Sequence, residues 1–327
     1  MFRERRNCRW LPRGSADRVI LFSGERFMRG LSVSVLLAGF AFLTLAQTGR
    51  SADEPLVIRV WPQVAPGETQ DYGPEKDVPR NDPVKTTRIT NISHPTLLLW
   101  RPAPEKDTGT TAIVCPGGGY SYVVVDKEGS EVVRWLNSIG VTGAVLKYRT
   151  PAREGRPRHE APAQDAQRAI SLLRHRAAEL KLNPDRIGIM GFSAGGHVAA
   201  CASTQFEKRL YAPQDDVDQT SCRPDFSLLM YPAYLADKTT GALSPEVPVS
   251  AKTPPTFLMM TQDDGLGVES AVSYYLALKK HKVPTEMHLY PSGGHGYGMR
   301  LEPVHTASTW PRRSEEWLRS GGWLNRP

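Results

Sequence analysis

The stretch Arg186-Ile187-Gly188-Ile189-Met190-Gly191-Phe192-Ser193-Ala194-Gly195-Gly196 decides how the rest of this 327-residue chain is read. Its first half is a short apolar run suited to a buried strand, and Ala194 to Ser203 reads as a helix of small residues. Between them stands G-x-S-x-G. A strand that turns at once into a helix strains the serine and exposes its hydroxyl, while the flanking glycines avoid collision with neighbouring backbone. Ser193 is therefore a candidate nucleophile. The simpler reading, a serine capping a helix for about 1 kcal/mol, is told apart by the further parts that a nucleophile requires.

Outward from this turn, the chain alternates. Leu56 to Trp61, Thr87 to Ser93 and Pro95 to Arg101 read as strands, followed by Thr111 to Cys115, Val141 to Tyr148, Phe226 to Tyr231, Thr256 to Thr261 and Glu286 to Tyr290. Helical spacing of apolar residues falls at Val132 to Ile139, Ala163 to Leu180, Val268 to Lys280 and Pro311 to Leu318. Short apolar strands alternating with helices predict an α/β fold with a mostly parallel central sheet covered on both faces. No repeat or linker divides residues 53–327, which read as one catalytic domain.

Three further features supply partners for Ser193. Pro116-Gly117-Gly118-Gly119 follows the strand Thr111 to Cys115, where glycines let backbone amides approach a developing oxyanion. The N–H groups of Ala194 and of Gly118 or Gly119 are the expected donors. His295, in a glycine-rich loop after the last strand, is the candidate general base. His197, on the helix behind Ser193, is assigned to packing. After Thr256 to Thr261 come Asp263 and Asp264, either of which could orient the imidazole; Asp264 is preferred because it directly precedes the turn glycine Gly265.

Charge narrows the function classes. The chain has 41 basic and 34 acidic residues, a net of +7, but residues 1–52 hold nine arginines and three acids. The remainder is near neutral, which removes the electrostatic case for nucleic acid. Arg26 and Arg29 precede an uncharged apolar stretch from Leu31 to Ala46, followed by small residues, which is the pattern of a secretory signal peptide. Residues 28–52 are thus expected to direct export to the periplasm or beyond, with cleavage after Ala46 or near Ser51. Once the leader is cleaved, no stable membrane association is expected. Residues 1–27 are expected to be an extension ahead of a true start at Met28. Cys115, Cys201 and Cys222 match no zinc spacing and read as buried thiols, with a Cys201–Cys222 bridge the alternative.

Taken together, P-G-G-G-Y, D-K-E-G (Asp126 to Gly129), K-Y-R (Lys147 to Arg149), E-A-P-A-Q-D-A-Q-R-A (Glu160 to Ala169), G-F-S-A-G-G-H and G-G-H-G-Y-G resemble exported α/β-hydrolase carbohydrate esterases related to acetyl xylan esterases. The chain order Ser193, Asp264, His295 is that of α/β-hydrolases. Pro116 stands where the usual oxyanion loop has histidine, which leaves the backbone donors intact. The resemblance implies removal of acetyl from acetylated polysaccharide or oligosaccharide, with no metal or organic cofactor. Substrate walls are expected from Thr150 to His159, Gln205 to Arg223 and Ala233 to Pro254, with Tyr211, Tyr231 and Tyr234 as candidate sugar platforms. Two rivals are a prolyl-oligopeptidase-like peptidase and a non-catalytic carbohydrate-binding protein on the same fold. About 60 residues before the glycine loop are too few for the propeller that such peptidases carry.

Overall fold

The computed structural model describes residues 54–326. The expected leader and the N-terminal extension lie outside the described residues. Eleven strands run in chain order: β1 Leu56–Arg59, β2 Lys76–Asp77, β3 Arg88–Thr90, β4 Thr96–Trp100, β5 Thr111–Cys115, β6 Val123–Val124, β7 Thr142–Lys147, β8 Ile187–Phe192, β9 Ser227–Met230, β10 Thr256–Thr261 and β11 Thr285–Tyr290. The helices are α1 Glu131–Ser138, α2 Glu160–His175, α3 Ala194–Thr204, α4 Glu269–Lys280 and α5 Trp310–Ser320.

Eight strands form the main sheet in the order β1-β4-β7-β5-β8-β9-β10-β11. Strand β4 runs antiparallel to both neighbours, and all pairings from β7 to β11 are parallel. The central strands are buried at every position, which is why T-A-I-V-C and I-G-I-M-G-F carry no alternation. Two apolar cores lie on the two faces. Val132, Val133 and Leu136 of α1 join Trp310 and Leu318 of α5 on one face; Ala166, Ile170 and Leu173 of α2 join Val198 and Ala202 of α3 on the other.

The chain leaves β5 toward β7 and leaves β8 toward β9, so the connection direction reverses between the adjacent strands β5 and β8. A crevice opens at such a point beyond the carboxyl ends of the strands. Ser193 directly follows β8, and the Pro116–Gly119 loop directly follows β5.

Two expectations change in detail. Helix α2 begins at Glu160 rather than Ala163, because Pro162 sits in the first turn, where its missing N–H has no partner to lose. It ends at His175, and the chain then reverses through Lys181 at φ +49°. The segment expected as a strand over Thr87 to Ser93 does form one, but outside the main sheet. Its core, β3, pairs with β2 and β6 in a three-stranded antiparallel sheet.

Candidate active site

The turn between β8 and α3 holds Ser193 at φ +53°, ψ −120°, a strained region for a residue with a side chain. Its backbone is fixed from both sides. The Ser193 N–H donates to the Met230 carbonyl at 3.0 Å, and its own carbonyl accepts from Ala233 N–H at 3.0 Å and His197 N–H at 3.2 Å. The turn closes only because Gly195 lacks a side chain: a Cβ there would lie 2.0 Å from the Cys115 carbonyl oxygen.

A continuous hydrogen-bonded chain leads away from the hydroxyl. His295 Nε2 lies 2.7 Å from Ser193 Oγ, and His295 Nδ1 lies 2.7 Å from Asp264 Oδ2. A carboxylate only accepts, so Nδ1 carries the proton and Nε2 is free to take one from the serine. The other Asp264 oxygen accepts the Leu266 N–H at 2.8 Å, which fixes the carboxylate, and its side chain is fully buried. The imidazole rests edge-on against Tyr231, with ring centroids 5.1 Å apart.

Asp263 is turned the other way. It is exposed and accepts the N–H groups of Gly293 and Gly294 at 3.2 and 2.9 Å, and these amides hold its carboxyl below the usual range. The two adjacent aspartates thus divide the work: one meets the imidazole, the other holds the loop that carries it. Thr261 adds a 2.7 Å bond from its hydroxyl to the Gly294 carbonyl.

The Pro116–Gly119 loop is anchored by a residue that the sequence reading left without a role. Glu128, buried in a π-helical turn over Asp126–Ser130, accepts the Gly117 N–H at 2.8 Å through one oxygen and the Tyr231 hydroxyl at 2.8 Å through the other. The Tyr231 oxygen in turn accepts the Gly298 N–H at 2.9 Å. Burial pushes the Glu128 carboxyl up, against the opposing pull of these donors. The signal in the sequence was a glutamate three residues after the apolar run Val123-Val124-Val125, within the D-K-E-G segment.

With Gly117 N–H committed to Glu128, Gly118 and Gly119 are the residues of the loop that line the cleft with Ser193. Gly118 has φ +140°, and a Cβ there would lie 2.0 Å from the Tyr122 carbonyl oxygen. Ala194, as the first residue of α3, has no carbonyl one turn back to receive its N–H. The cleft encloses about 420 Å³ and is also lined by Arg80, Arg88, Tyr122, Lys127, Tyr234 and Leu266.

The expected substrate walls require correction. Of the three loops expected to form them, only Ala233 to Pro254 contributes a lining residue, Tyr234. Tyr231 is fully buried beneath His295, and Tyr211 is buried edge-on against Trp61, its hydroxyl donating to Asp218. Phenol groups that meet a buried carboxylate are drawn inward, away from a substrate. The walls come instead from the small sheet and the turn after β6.

His197 is fully buried, as a packing residue should be. Its Nδ1 lies 2.7 Å from the Tyr120 hydroxyl and its Nε2 3.4 Å from Glu246. Cys115, Cys201 and Cys222 are free and buried. Among the described residues no helix is long and apolar enough to cross a membrane.

Comparison with known proteins agrees with this architecture. The family model BD-FAE matches residues 97–230. An acetylxylan esterase of Xylanibacter ruminicola is 30% identical over 246 residues, covering 68% of this chain and 46% of that protein. A protein of Butyrivibrio fibrisolvens described as endo-1,4-beta-xylanase B is 29% identical over 203 residues, covering 56% of this chain and 32% of that protein. The chain therefore spans less than half the length of these two curated relatives. A solved structure, an acetyl ester-xyloside bifunctional hydrolase from Caldicellulosiruptor lactoaceticus, is 34% identical with a TM-score of 0.64, covering 83% of this chain and 97% of that one. Sheet order, the serine at the turn after β8 and this likeness across nearly the whole of a solved hydrolase converge: the chain belongs to the α/β-hydrolase family.

Proposed function

We propose that this protein is a serine esterase that removes acetyl groups from acetylated polysaccharide or oligosaccharide through an acyl-enzyme. The observation that carries the reading is the unbroken path from Ser193 Oγ through His295 to Asp264, two bonds of 2.7 Å opening on a cleft. His295 takes the serine proton as Oγ attacks the ester carbonyl. Negative charge gathers on the carbonyl oxygen, which meets the amides of Ala194 and of Gly118 or Gly119. The imidazolium, stabilised by Asp264, then protonates the departing sugar oxygen. Water enters, gives its proton to His295 and attacks the acetyl-serine; the imidazolium returns that proton to Ser193 Oγ as the acyl bond breaks, releasing acetate. Every step uses groups of the chain, so the reaction calls for neither metal nor organic cofactor.

The relatives described as acetylxylan esterase and as acetyl ester-xyloside hydrolase support the acetyl and xylan part of the proposal. Cleavage of a glycosidic bond would need two carboxylates across a sugar subsite. Among the residues lining the cleft, Glu128 is the single carboxylate, and both its oxygens are engaged.

Acetate release from acetylated xylan, measured for the wild type and for Ser193→Ala, tests the proposal. Turnover should fall by at least about 10³-fold with the Tm unchanged, and a fluorophosphonate probe should label Ser193 in the wild type alone. Retained turnover in pure Ser193→Ala protein would exclude the mechanism.

A further inference from the structure

Three cations line the cleft beside Ser193: Arg80, Arg88 and Lys127. The small sheet delivers them. Arg88 opens β3, Arg80 lies in the β2–β3 connection, and Lys127 follows β6. The Arg80 and Arg88 guanidiniums lie 5.2 and 5.8 Å from the centroid of the Tyr122 ring. A fourth cation, Arg158, lies 4.9 Å from the ring centroid of Tyr234, the other tyrosine of the cleft.

Of the carboxylates nearby, one pairs with a cation of the cleft and the others are engaged elsewhere. Asp82 pairs with Arg88 at 2.5 Å, Asp126 and Glu131 pair with Arg300, Asp264 faces His295, and Glu128 is held by Gly117 and Tyr231. Arg80, Lys127 and Arg158 are left without an ion-pair partner among the described residues. Even Arg88, buried and paired, has an Nε with no acceptor among them. In a body of near-zero net charge this is a local concentration of positive potential, and a guanidinium pairs with a carboxylate or sulfate through two parallel bonds. A neutral sugar would offer these groups hydroxyl acceptors in place of water but no opposite charge.

Resting on the esterase reading above, we propose that the cleft is built for esters of acidic saccharides. An anionic group, carboxylate or sulfate, on or next to the acylated sugar pairs with Arg80 and Lys127, while the tyrosine rings meet the sugar faces. Arg80 and Lys127 are thus specificity residues for charge, with Arg88 held beside them by Asp82.

Calorimetric titration of Ser193→Ala protein, which binds without turnover, tests this directly. The probes are an acetylated xylo-oligosaccharide bearing a uronic acid, the same compound with its carboxyl reduced to an alcohol, and a sulfated counterpart. The acidic compounds should bind about fivefold or more tightly than the reduced one, equivalent to about 1 kcal/mol. The gap should close in ~0.5 M salt, where screening acts within a few ångströms. It should also shrink when Arg80→Gln and Lys127→Gln are added together. The tighter of the uronate and sulfate compounds identifies the source of the anion. Equal affinity for charged and neutral compounds, or no binding of any, overturns the proposal. Acetate release by the wild type separates the two readings: release without charge preference defeats the subsite alone, whereas charge-selective binding without release defeats the esterase reading alone.

Discussion

Ser193 occupies a backbone region that costs about 1–3 kcal/mol for a residue with a Cβ, and three backbone hydrogen bonds to Met230, Ala233 and His197 keep it there. Its sequence signature was plain because glycines must flank such a turn. The adjacent aspartates were not separable in the same way. Asp263 and Asp264 have the same chemistry and the same strand end behind them, and the difference lies only in which side chain turns inward. The structure buries Asp264 and exposes Asp263, and a prediction follows at this scale. Asp264→Asn should lower kcat by about 10⁴-fold, because an amide stabilises the wrong imidazole tautomer. Asp263→Asn should lower it by about tenfold or less, since the amide oxygen still accepts one loop N–H and the one exposed bond lost contributes about 1 kcal/mol. Steady-state kinetics of the two variants decide, and the opposite ranking would exchange the roles assigned to the pair.

At the scale of elements, the turn over Asp126–Ser130 matters more than its length suggests. Through Glu128 and the Tyr231 hydroxyl it ties the loop after β5 to the loop after β11. Sequence reading recovered both loops and missed the tie, because Glu128 and Tyr231 stand 103 residues apart and meet only once β9 has paired with β8 and β10. Glu128→Ala should reduce kcat by about 10²-fold with little change in KM, the loss expected when a loop amide aimed at the oxyanion is displaced. Glu128→Gln, which keeps an acceptor for Gly117 N–H, should recover part of that activity. A loss in KM alone would show that Glu128 contacts substrate instead of positioning the loop.

At the scale of the whole molecule, one ionic contact between distant segments bears on the response to acid. Glu246 faces His197 at 3.4 Å and His159 at 3.5 Å, and the histidines hold its carboxyl down at about 2, from an ordinary value of 4.5. A depressed carboxyl stabilises the fold above its unfolded value, and that stabilisation drains away as pH falls from about 4.5 toward 2. Tm measured across this window should drop more steeply for the wild type than for Glu246→Gln, and parallel curves would remove Glu246 from the account. The strand-helix alternation, the mostly parallel sheet and its helical cover on both faces were legible from periodicity alone. The small sheet was not, because Lys76–Asp77 and Val123–Val124 are two-residue strands with no period to detect. The cleft walls were missed for the same reason, since Arg80, Arg88 and Lys127 reach Ser193 only through that sheet.

The separation of Ser193 from His295 by 102 residues also has a meaning in time. On a ribosome adding about 5–20 residues per second, the serine emerges roughly 5–20 s before the histidine that would activate it. Until β11 has docked on the sheet edge and brought the glycine loop with it, the growing polypeptide carries an inert hydroxyl. In the proposed chemistry, hydrolytic competence is therefore acquired last, as a property of the finished chain, and a product broken off before residue 295 would be harmless to any ester it met.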